Sequence, residues 1–545
     1  MKSQASLMAI LVGLAAAPTG VWAQPTGSMI IDQNRADRQA PTAPPRKAPR
    51  PTGASVSAAP ADIQPFTLTG VRLDGASLPA SLANGAFRPF IGQRMDAAGL
   101  NRLTQAASNA YAHSDIALYT IVLPNQTFAG GVVRLRAIEG YIAHATVKDA
   151  GGGAGKDVGL ARRYLTPVLN EHPLRTSTVQ RSILLIRDIP GVMADVQFLK
   201  GGPSGAVDLV VALKRKPFQI GIGFNDQGTS ELGRDQIEVD LTANSLLRAG
   251  DQTRLTIAAP TDVQRFQYYA LSHSEVLNDS GLTATASIGY LHTLPESVPI
   301  QGTATTAGLA LSDPVIRSNK QNLTLTGSVD GVNSDNALFG QRISNDHTRA
   351  ARVAAAYNRT HGRATFAISA TASFGLNGLG AEVTSPLLSD KTFKKLNGRI
   401  GLDYQLTKRW VVRLRGTGQL SADRLPAVEQ LPLGGQDFGR AFQAATVVGD
   451  QGLAGSIEVA YAPTGLPPLV RGSEVYGFTD RGEVWNHDRV ILPASTYALA
   501  SAGLGARVAV ASKSVFQLEA AKGLLDPIPG EGDAWRLTFS VRSLY

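Results

Sequence analysis

The segment most like a ligand-binding motif is glycine-rich and ends in a lysine, at residues 151–156. A phosphate-binding loop needs a glycine at its first position and a serine or threonine after the lysine to hold magnesium. Ala150 and Asp157 stand at those two positions, so we interpret the segment as a flexible loop. Neither an HExxH nor a GxSxG motif occurs in the sequence. We therefore predict no catalytic, cofactor-binding or metal site, and the chain is not expected to be an enzyme.

Composition narrows the remaining classes of function. The absence of cysteine (0 of 545 residues) excludes disulfides, thiolate zinc sites and a cysteine nucleophile. The net charge is +9, but the basic residues are scattered rather than interleaved with aromatic ones, so nucleic acid is not an expected partner. Beyond the N-terminus no run of about 18 apolar residues indicates a transmembrane helix. The 56 glycines favour many short strands joined by turns.

The N-terminus has the pattern of a secretory signal peptide, predicted over residues 1–23. Lys2 supplies the positive charge, residues 7–17 form a short apolar core, and residues 21–23 offer small residues before a cleavage site after Ala23. Residues 24–62 are rich in proline and polar residues, which is typical of a flexible linker. A short helix is predicted within that segment, at residues 28–39.

Two consecutive segments, residues 63–141 and 142–215, share the element order β-α-α-β-β. In the first, Leu100, Leu103 and Tyr111 recur at helical spacing. Its predicted elements are a strand at 66–73 with a kink at Gly70, helices at 78–90 and 96–111, and strands at 117–123 and 131–139. Those of the second are a strand at 142–147, helices at 160–170 and 176–187, and strands at 192–199 and 206–213. We predict two small α+β modules that repeat one structure.

Residues 216–545 read as all-β, because apolar and polar residues alternate strictly over many short segments. Such alternation suits either a tandem of secreted β-sandwiches or a membrane barrel. Three features favour the barrel: the signal peptide, about 330 residues without a linker-like break, and an aromatic last strand. Allowing about ten residues for each strand and each connection predicts roughly sixteen antiparallel strands. In the last strand, the residues expected to be read during barrel assembly are Trp535, Phe539 and Tyr545.

The motifs of the first α+β module resemble a known family. They are the segments 66–75 (FTLTGVRLDG), 123–126 (LPNQ) and 133–140 (VRLRAIEG). Together they resemble the first POTRA domain of the TpsB transporters of two-partner secretion, the haemolysin secretion/activation proteins. Residues 142–213 resemble the second POTRA domain, and the sequence from Phe218 onward resembles the barrel of the same family.

Two further motifs lie in the barrel segment. Residues 431–435, followed by Gly439, Arg440, Ala441 and Phe442, resemble the family's extracellular loop that folds back into the pore. Ala441 stands where the family has glycine. The second motif resembles the family's F-x-D-x-G strand and comprises Phe478, Asp480 and Gly482. The resemblance implies an ion pair between Arg440 and Asp480 inside the barrel.

The resemblance implies an outer-membrane transporter whose POTRA domains lie in the periplasm and recognise an unfolded, TpsA-like exoprotein. It implies contact with outer-membrane lipid, assembly by the barrel-assembly machinery, a monomeric state and no cofactor. Residues 28–39 would correspond to the family's plug helix. The parity of the strands places four arginines on the inner face of the barrel: Arg413, Arg415, Arg536 and Arg542.

Two other functions remain open at this point. A BamA-like assembly factor shares POTRA domains and a related loop, but usually has three or more such domains. A diffusion porin lacks the soluble part that precedes Phe218.

Overall fold

The computed structural model describes residues 55–56, 63–202, 205–339, 341–490, 492–511, 513–527 and 534–545. Two small α+β units precede a closed β-barrel. The predicted signal peptide and the predicted helix at residues 28–39 lie outside the described residues. None of the helices within the described ranges is long and apolar enough to cross a membrane.

The first α+β unit packs two helices on a mixed sheet. Its elements are β1 (Ser55–Val56), β2 (Phe66–Thr67), β3 (Gly70–Asp74), α1 (Ala80–Phe87), a 3-10 turn (Arg88–Phe90), β4 (Arg94–Met95), α2 (Ala97–Ala112), β5 (Tyr119–Val122), a second 3-10 turn (Ala129–Gly131) and β6 (Val132–Glu139). The Asp96 carboxylate caps α2 by accepting the Gly99 N–H at 2.7 Å. Leu100, Leu103 and Tyr111 are fully buried, as their helical spacing predicts. The sheet order is β1-β5-β6-β3.

Three local predictions in this unit differ from the structure. The strand expected at 66–73 is split into β2 and β3, because Leu68 N–H bonds to Gln93 and Thr69 N–H bonds to Gly131. The helix expected at 78–90 ends at Phe87, since Pro89 has no N–H to continue it. Within the predicted linker, β1 forms a strand that pairs in parallel with the edge strand β5.

The second α+β unit repeats the β-α-α-β-β order. Its elements are β7 (Tyr141–Asp149), α3 (Gly155–Leu169), α4 (Thr176–Asp188), β8 (Val192–Lys200) and β9 (Ala206–Arg215), with the sheet order β7-β9-β8. The glycine-rich segment before α3 is a tight turn. Gly152 has a φ of +73°, and a Cβ there would collide with the Arg215 carbonyl. The glycines therefore serve backbone packing against β9.

Residues from Phe218 onward form a closed antiparallel barrel, and its sixteen strands in the described ranges confirm the predicted fold class. The elements are β10 (Phe218–Asn225), β11 (Gln236–Asn244), β12 (Gln252–Pro260), β13 (Phe266–Val276), β14 (Thr283–Thr293), β15 (Ile300–Arg317), β16 (Gln321–Leu338), β17 (Gln341–His361), β18 (Ala364–Gly375), β19 (Lys394–Gln405), β20 (Trp410–Ser421), β21 (Leu431–Leu433), β22 (Val447–Gly449), β23 (Gln451–Tyr461), β24 (Glu474–Asn486), β25 (Ser495–Val510), β26 (Ser514–Leu525) and β27 (Arg536–Leu544). The short strands β21 and β22 pair only with each other, within the loop that joins β20 to β23.

The last strand closes the barrel against the first. β27 pairs with β10 from Gly221 to Asn225. Tyr545 exchanges two backbone hydrogen bonds with Ile220, and the Phe539 ring lies 5.5 Å from that of Phe224. Trp535 is exposed on the outer surface just before β27. These aromatic residues therefore lie at or beside the closing seam.

The second α+β unit is fastened to one end of the barrel. The Arg317 guanidinium forms two hydrogen bonds of 2.6 Å with Asp188 at the end of α4. Arg181 donates to the carbonyls of Pro314 and Ser280. The buried Asp157 carboxylate accepts the hydroxyl of Ser245, which lies in the turn between β11 and β12. The loop between β20 and β23 consequently enters the barrel from the opposite end.

Candidate functional site

The candidate site is the loop of residues 422–450, which folds into the barrel lumen from the end opposite to the α+β units. β21 and β22 form a hairpin whose apolar side chains are buried against the wall. Leu433 contacts Gly482 of β24 so closely that a Cβ on this glycine would meet the leucine side chain. Gly482, predicted as a motif residue, therefore lets the loop approach the wall.

The tip of the loop depends on glycine. Gly434, Gly435 and Gly439 have φ values of +111°, +95° and +77°, which other residues rarely adopt. Ala441 is not among the residues with positive φ, so alanine fits where the family has glycine. Phe442 is almost fully buried in the apolar cluster that holds the loop.

Asp480 fastens the tip through its backbone. Its carboxylate accepts the Gly439 N–H at 2.7 Å and, more weakly, the Arg440 N–H at 3.5 Å. The same carboxylate accepts the Ser501 hydroxyl at 2.8 Å. Because its oxygens already have these donors, Asp480 holds the loop backbone and Ser501 rather than the Arg440 guanidinium.

The Arg440 guanidinium binds other carboxylates, which corrects the predicted partner. It lies 3.2 Å from Glu458 and 3.1 Å from Glu519, and it stacks on the Phe478 ring at 4.1 Å from the centroid. The structure thus brings residues of the two predicted motifs together. The direct Arg440–Asp480 side-chain pair was wrong, because Asp480 is engaged by the loop backbone.

Beside this contact, the inner wall carries a network of alternating charges. Arg413 pairs with Glu458 and Glu474, each at 2.8 Å. Arg507 pairs with the same two carboxylates and stacks on the Tyr476 ring at 3.8 Å. Their inward positions agree with the parity predicted for Arg413.

The base of the loop is held by fully buried ion pairs. The Glu429 carboxylate lies 2.8 Å from Arg352 of β17 and 2.7 Å from Lys395 of β19. Asp450, at the other end, lies 2.9 Å from Arg489 and accepts the Leu425 N–H at 2.8 Å. The loop is therefore fastened to several walls and lies across the lumen.

Sequence reasoning missed several of these residues: Arg352, Lys395, Glu429, Asp450, Glu458, Glu474, Arg507 and Glu519. One signal was available for Glu458, which alternates with the apolar residues Ile457 and Val459 of its strand. No group of three or more His, Asp or Glu side chains in the described part of the chain could hold a metal ion.

Comparison with known proteins gives two family matches. The haemolysin secretion/activation protein family ShlB/FhaC/HecB matches residues 205–508. The ShlB-type POTRA domain family matches residues 66–140.

Several curated proteins are similar over most of their length. The outer membrane transporter CdiB of Dickeya dadantii is 23% identical over 447 residues, covering 77% of each chain. The hemolysin transporter protein ShlB of Serratia marcescens is 25% identical over 419 residues, covering 72% of each.

Among solved structures, CdiB from Escherichia coli aligns with a TM-score of 0.70 and 19% identity, covering 96% of this chain and 98% of that one. BamA from Haemophilus ducreyi, lacking POTRA domains 1–3, aligns with a TM-score of 0.52 and 13% identity, covering 88% and 100%. At these identities, the two structures establish similarity of fold.

Proposed function

The chain belongs to the haemolysin secretion/activation protein family, and from this membership we propose how it carries its partner across the outer membrane. It is an outer-membrane transporter of the two-partner secretion type, with POTRA domains before the barrel, and the family is not one of enzymes. Its partner is a secreted TpsA-like exoprotein. We propose that the chain acts as a monomer in outer-membrane lipid, after insertion by the barrel-assembly machinery. The observation that carries the proposal is the loop of residues 422–450 inside the lumen.

Recognition of the partner requires an open sheet edge in the periplasmic units. In the first unit, the β5 edge is already paired with β1 of the same chain. In the second unit, β8 is an edge strand of nine residues, with Met193 and Leu199 exposed. An extended segment can add to such an edge through backbone hydrogen bonds, while exposed apolar side chains provide selectivity. We therefore place the first contact with the unfolded partner on β8.

The position of β8 suits delivery to the barrel. Gly191, just before β8, packs against the Lys216 carbonyl and the Asn244 side chain where the chain enters the barrel. A segment paired with β8 would thus start beside the periplasmic mouth. The partner then passes along an inner wall lined by both charge signs, which stays hydrated. Folding of the partner outside the cell supplies the driving force.

The loop tip must detach for the partner to pass. Arg440 and Asp480 hold it through charge-assisted hydrogen bonds worth about 1.5–3 kcal/mol each. Partner segments compete for these groups as they arrive. In this proposal Arg440 and Asp480 act as a releasable contact within the pore.

Cysteine cross-linking tests the site of recognition, because the natural chain has 0 cysteines. Gln197→Cys places a thiol on the exposed face of β8, and Lys148→Cys places a matched thiol on β7, at the opposite edge of the same sheet. The probe is a secreted TpsA-like exoprotein, stalled during secretion and carrying single cysteines. We expect disulfides at residue 197 and not at 148. Equal cross-linking at both edges would contradict recognition by β8.

A deletion tests the contribution of the first unit. Removal of residues 63–140 leaves β8 of the second unit in place, so the periplasmic part should still bind the partner while the barrel forms. Loss of binding in this variant would place recognition in the first unit and contradict recognition by β8.

A further inference from the structure

Two cations that have no ion-pair partner among the described residues lie on the outer, lipid-facing surface of the barrel. In β24, Phe478, Asp480 and Gly482 face the loop in the lumen, so the alternate residues face outward. The outward row includes Val475 and Trp485, which are exposed apolar residues, and Arg481 between them.

Lys522 of β26 faces outward by the same criterion. Lys522 is opposite Ala502 of β25, and Ala502 is opposite Thr479 of β24. Thr479 lies in the outward row of β24, two residues from Arg481. Arg481 and Lys522 are both exposed. They therefore lie two strands apart on one patch of the outer wall.

The charged groups of this patch have no hydrogen-bond or ion-pair partner among the described residues. This also applies to Glu483, the next outward residue of β24. Another outward-facing arginine, Arg349 of β17, differs because it donates to the Leu379 carbonyl at 2.9 Å. Among the described residues, the patch with Arg481 and Lys522 thus contains no ion pair, and its two cations outnumber the one carboxylate, that of Glu483.

The depth of the patch follows from the strand geometry. Trp485 lies four residues beyond Arg481 toward the extracellular end, and tryptophans mark the interface between lipid and water. At about 3.3 Å per residue and a tilt of about 40°, Arg481 lies roughly 10 Å below Trp485. Trp535, exposed just before β27, is next to Lys522. Arg481 therefore lies on the hydrocarbon side of the outer-leaflet headgroups, and Lys522 lies near the level that Trp535 marks.

An uncompensated cation at this depth is unfavourable. Arginine or lysine on the lipid face of a barrel costs about 2–4 kcal/mol at the midplane, and less near the interface. Both side chains are long enough to extend their charged ends toward the headgroups. An anionic group from the lipid would complete the site, and the guanidinium fork matches phosphate oxygens.

The surface between the cations is shaped to receive a chain. The residues that pair with Arg481 and Lys522 are small: Gly455, Ala500 and Ala502. Leu453 and Leu504, both strongly exposed, project on either side. An acyl chain can therefore lie against these small residues, with the two exposed leucines on either side of it.

We propose that Arg481 and Lys522 bind the phosphate groups of a phosphorylated glycolipid of the outer leaflet, of the lipid A class, with an acyl chain against Ala500 and Ala502. Glu483 lies further toward the headgroups, where a carboxylate can share a divalent cation with the lipid phosphates. This inference depends on the position of the barrel in the outer membrane and not on the secretion mechanism.

Native mass spectrometry of the full folded protein in detergent tests the proposal. The probe is diphosphorylated lipid A, compared with lipid A from which the phosphates have been removed, and with inorganic phosphate alone. The test variant is Arg481→Ser with Lys522→Ser. The matched control is Arg359→Ser, an exposed outward arginine near the periplasmic end of β17.

We expect the wild type and the Arg359→Ser control to retain diphosphorylated lipid A. The double variant should lose at least tenfold in retention, and the wild type should retain dephosphorylated lipid A equally weakly. Heat-modifiable migration in gels verifies that the barrel of each variant is folded. The single variant Arg481→Lys should keep most of the lipid A binding.

Three results would overturn the proposal. One is equal retention of lipid A by the double variant and the wild type. Another is equal binding of phosphorylated and dephosphorylated lipid, or binding of inorganic phosphate alone. The third is a dimeric mass that the double variant reduces to a monomer, which would assign the patch to a second copy of the chain.

Discussion

The partner of Arg440 can be decided by a double-mutant cycle on the opening of the loop tip. The structure places the Arg440 guanidinium on Glu458 and Glu519, and Asp480 on the loop backbone. Arg440→Met keeps the apolar stem but removes two ion pairs and the stacking on Phe478. Glu458 retains Arg413 and Arg507 as partners. The net loss should therefore be about 2–3 kcal/mol, or roughly 30- to 150-fold in the open population.

The assay uses one cysteine introduced at Ala441, which is almost fully buried at the tip. A maleimide reagent reacts with this thiol only when the tip detaches, so the labelling rate follows the open population when reclosing is fast. Lys408→Cys, in an exposed turn, is the control for a thiol that is always accessible.

The cycle combines Arg440→Met with Glu519→Gln and, separately, with Asp480→Asn. Contacting side chains show coupling energies of about 0.5–3 kcal/mol. We expect such coupling between Arg440 and Glu519, and a smaller value between Arg440 and Asp480, whose effects should be close to additive. A larger coupling with Asp480 would refute the arrangement described above and restore the direct pair.

Three further predictions concern secretion, the loop base and the periplasmic units. Arg440→Ala should impair secretion of the partner while gel migration shows an assembled barrel; normal secretion would contradict a role for the loop tip. Glu429→Gln should leave Arg352 and Lys395 buried with less compensation, at a cost of about 3–5 kcal/mol, and should lower the temperature at which the folded form disappears from gels; an unchanged temperature would show that these pairs contribute little. Burial raises the pKa of Tyr164 in α3 to about 12 from its ordinary value of 10, so the folded unit holds this proton more tightly than the unfolded chain. The contribution of this tighter proton binding to the free energy of unfolding is complete below pH 10 and is lost between pH 10 and 12. It amounts to at most about 2–3 kcal/mol, and Tyr164→Phe should remove this pH dependence when unfolding is followed by proteolysis.

The barrel could be predicted because its signal is repeated in every strand. Each strand exposes one face to lipid, so outward residues such as Ile288 and Leu309 are apolar although they are more than half exposed. Strand length and loop length then fix the approximate number of strands. The helices of the first unit were predicted for a similar reason, since the spacing of Leu100, Leu103 and Tyr111 depends only on local geometry.

The partners of Arg440 could not be predicted, because they depend on which inward residues face each other across the lumen. Glu458 and Glu519 are 18 and 79 residues from Arg440 in sequence. Their proximity is set by the register of β23 and β26 and by how deep the loop enters. Alternation shows that Glu458 points inward, but it does not show which cation it meets. The buried Glu429 gives even less signal, since a single glutamate in a loop usually indicates an exposed position.

The contacts of the loop differ in strength between its base and its tip, and this difference determines how it can move. At the base, Glu429 lies between two buried cations, and Asp450 accepts from several donors. At the tip, the Nε atom of Arg440 is buried without a hydrogen-bond partner among the described residues. Because an unsatisfied buried donor costs about 1–3 kcal/mol, the closed tip is less stable than its ion pairs alone would suggest.

The tip should therefore detach before the base. Gly434 and Gly435 lie between the two levels, and their left-handed backbone allows the chain to change direction there. Detachment at these glycines would free residues 436–446, while β21, β22 and the buried pairs of Glu429 and Asp450 stay in place. Passage of an extended partner thus requires a local movement beside β24 rather than expulsion of the whole loop from the lumen.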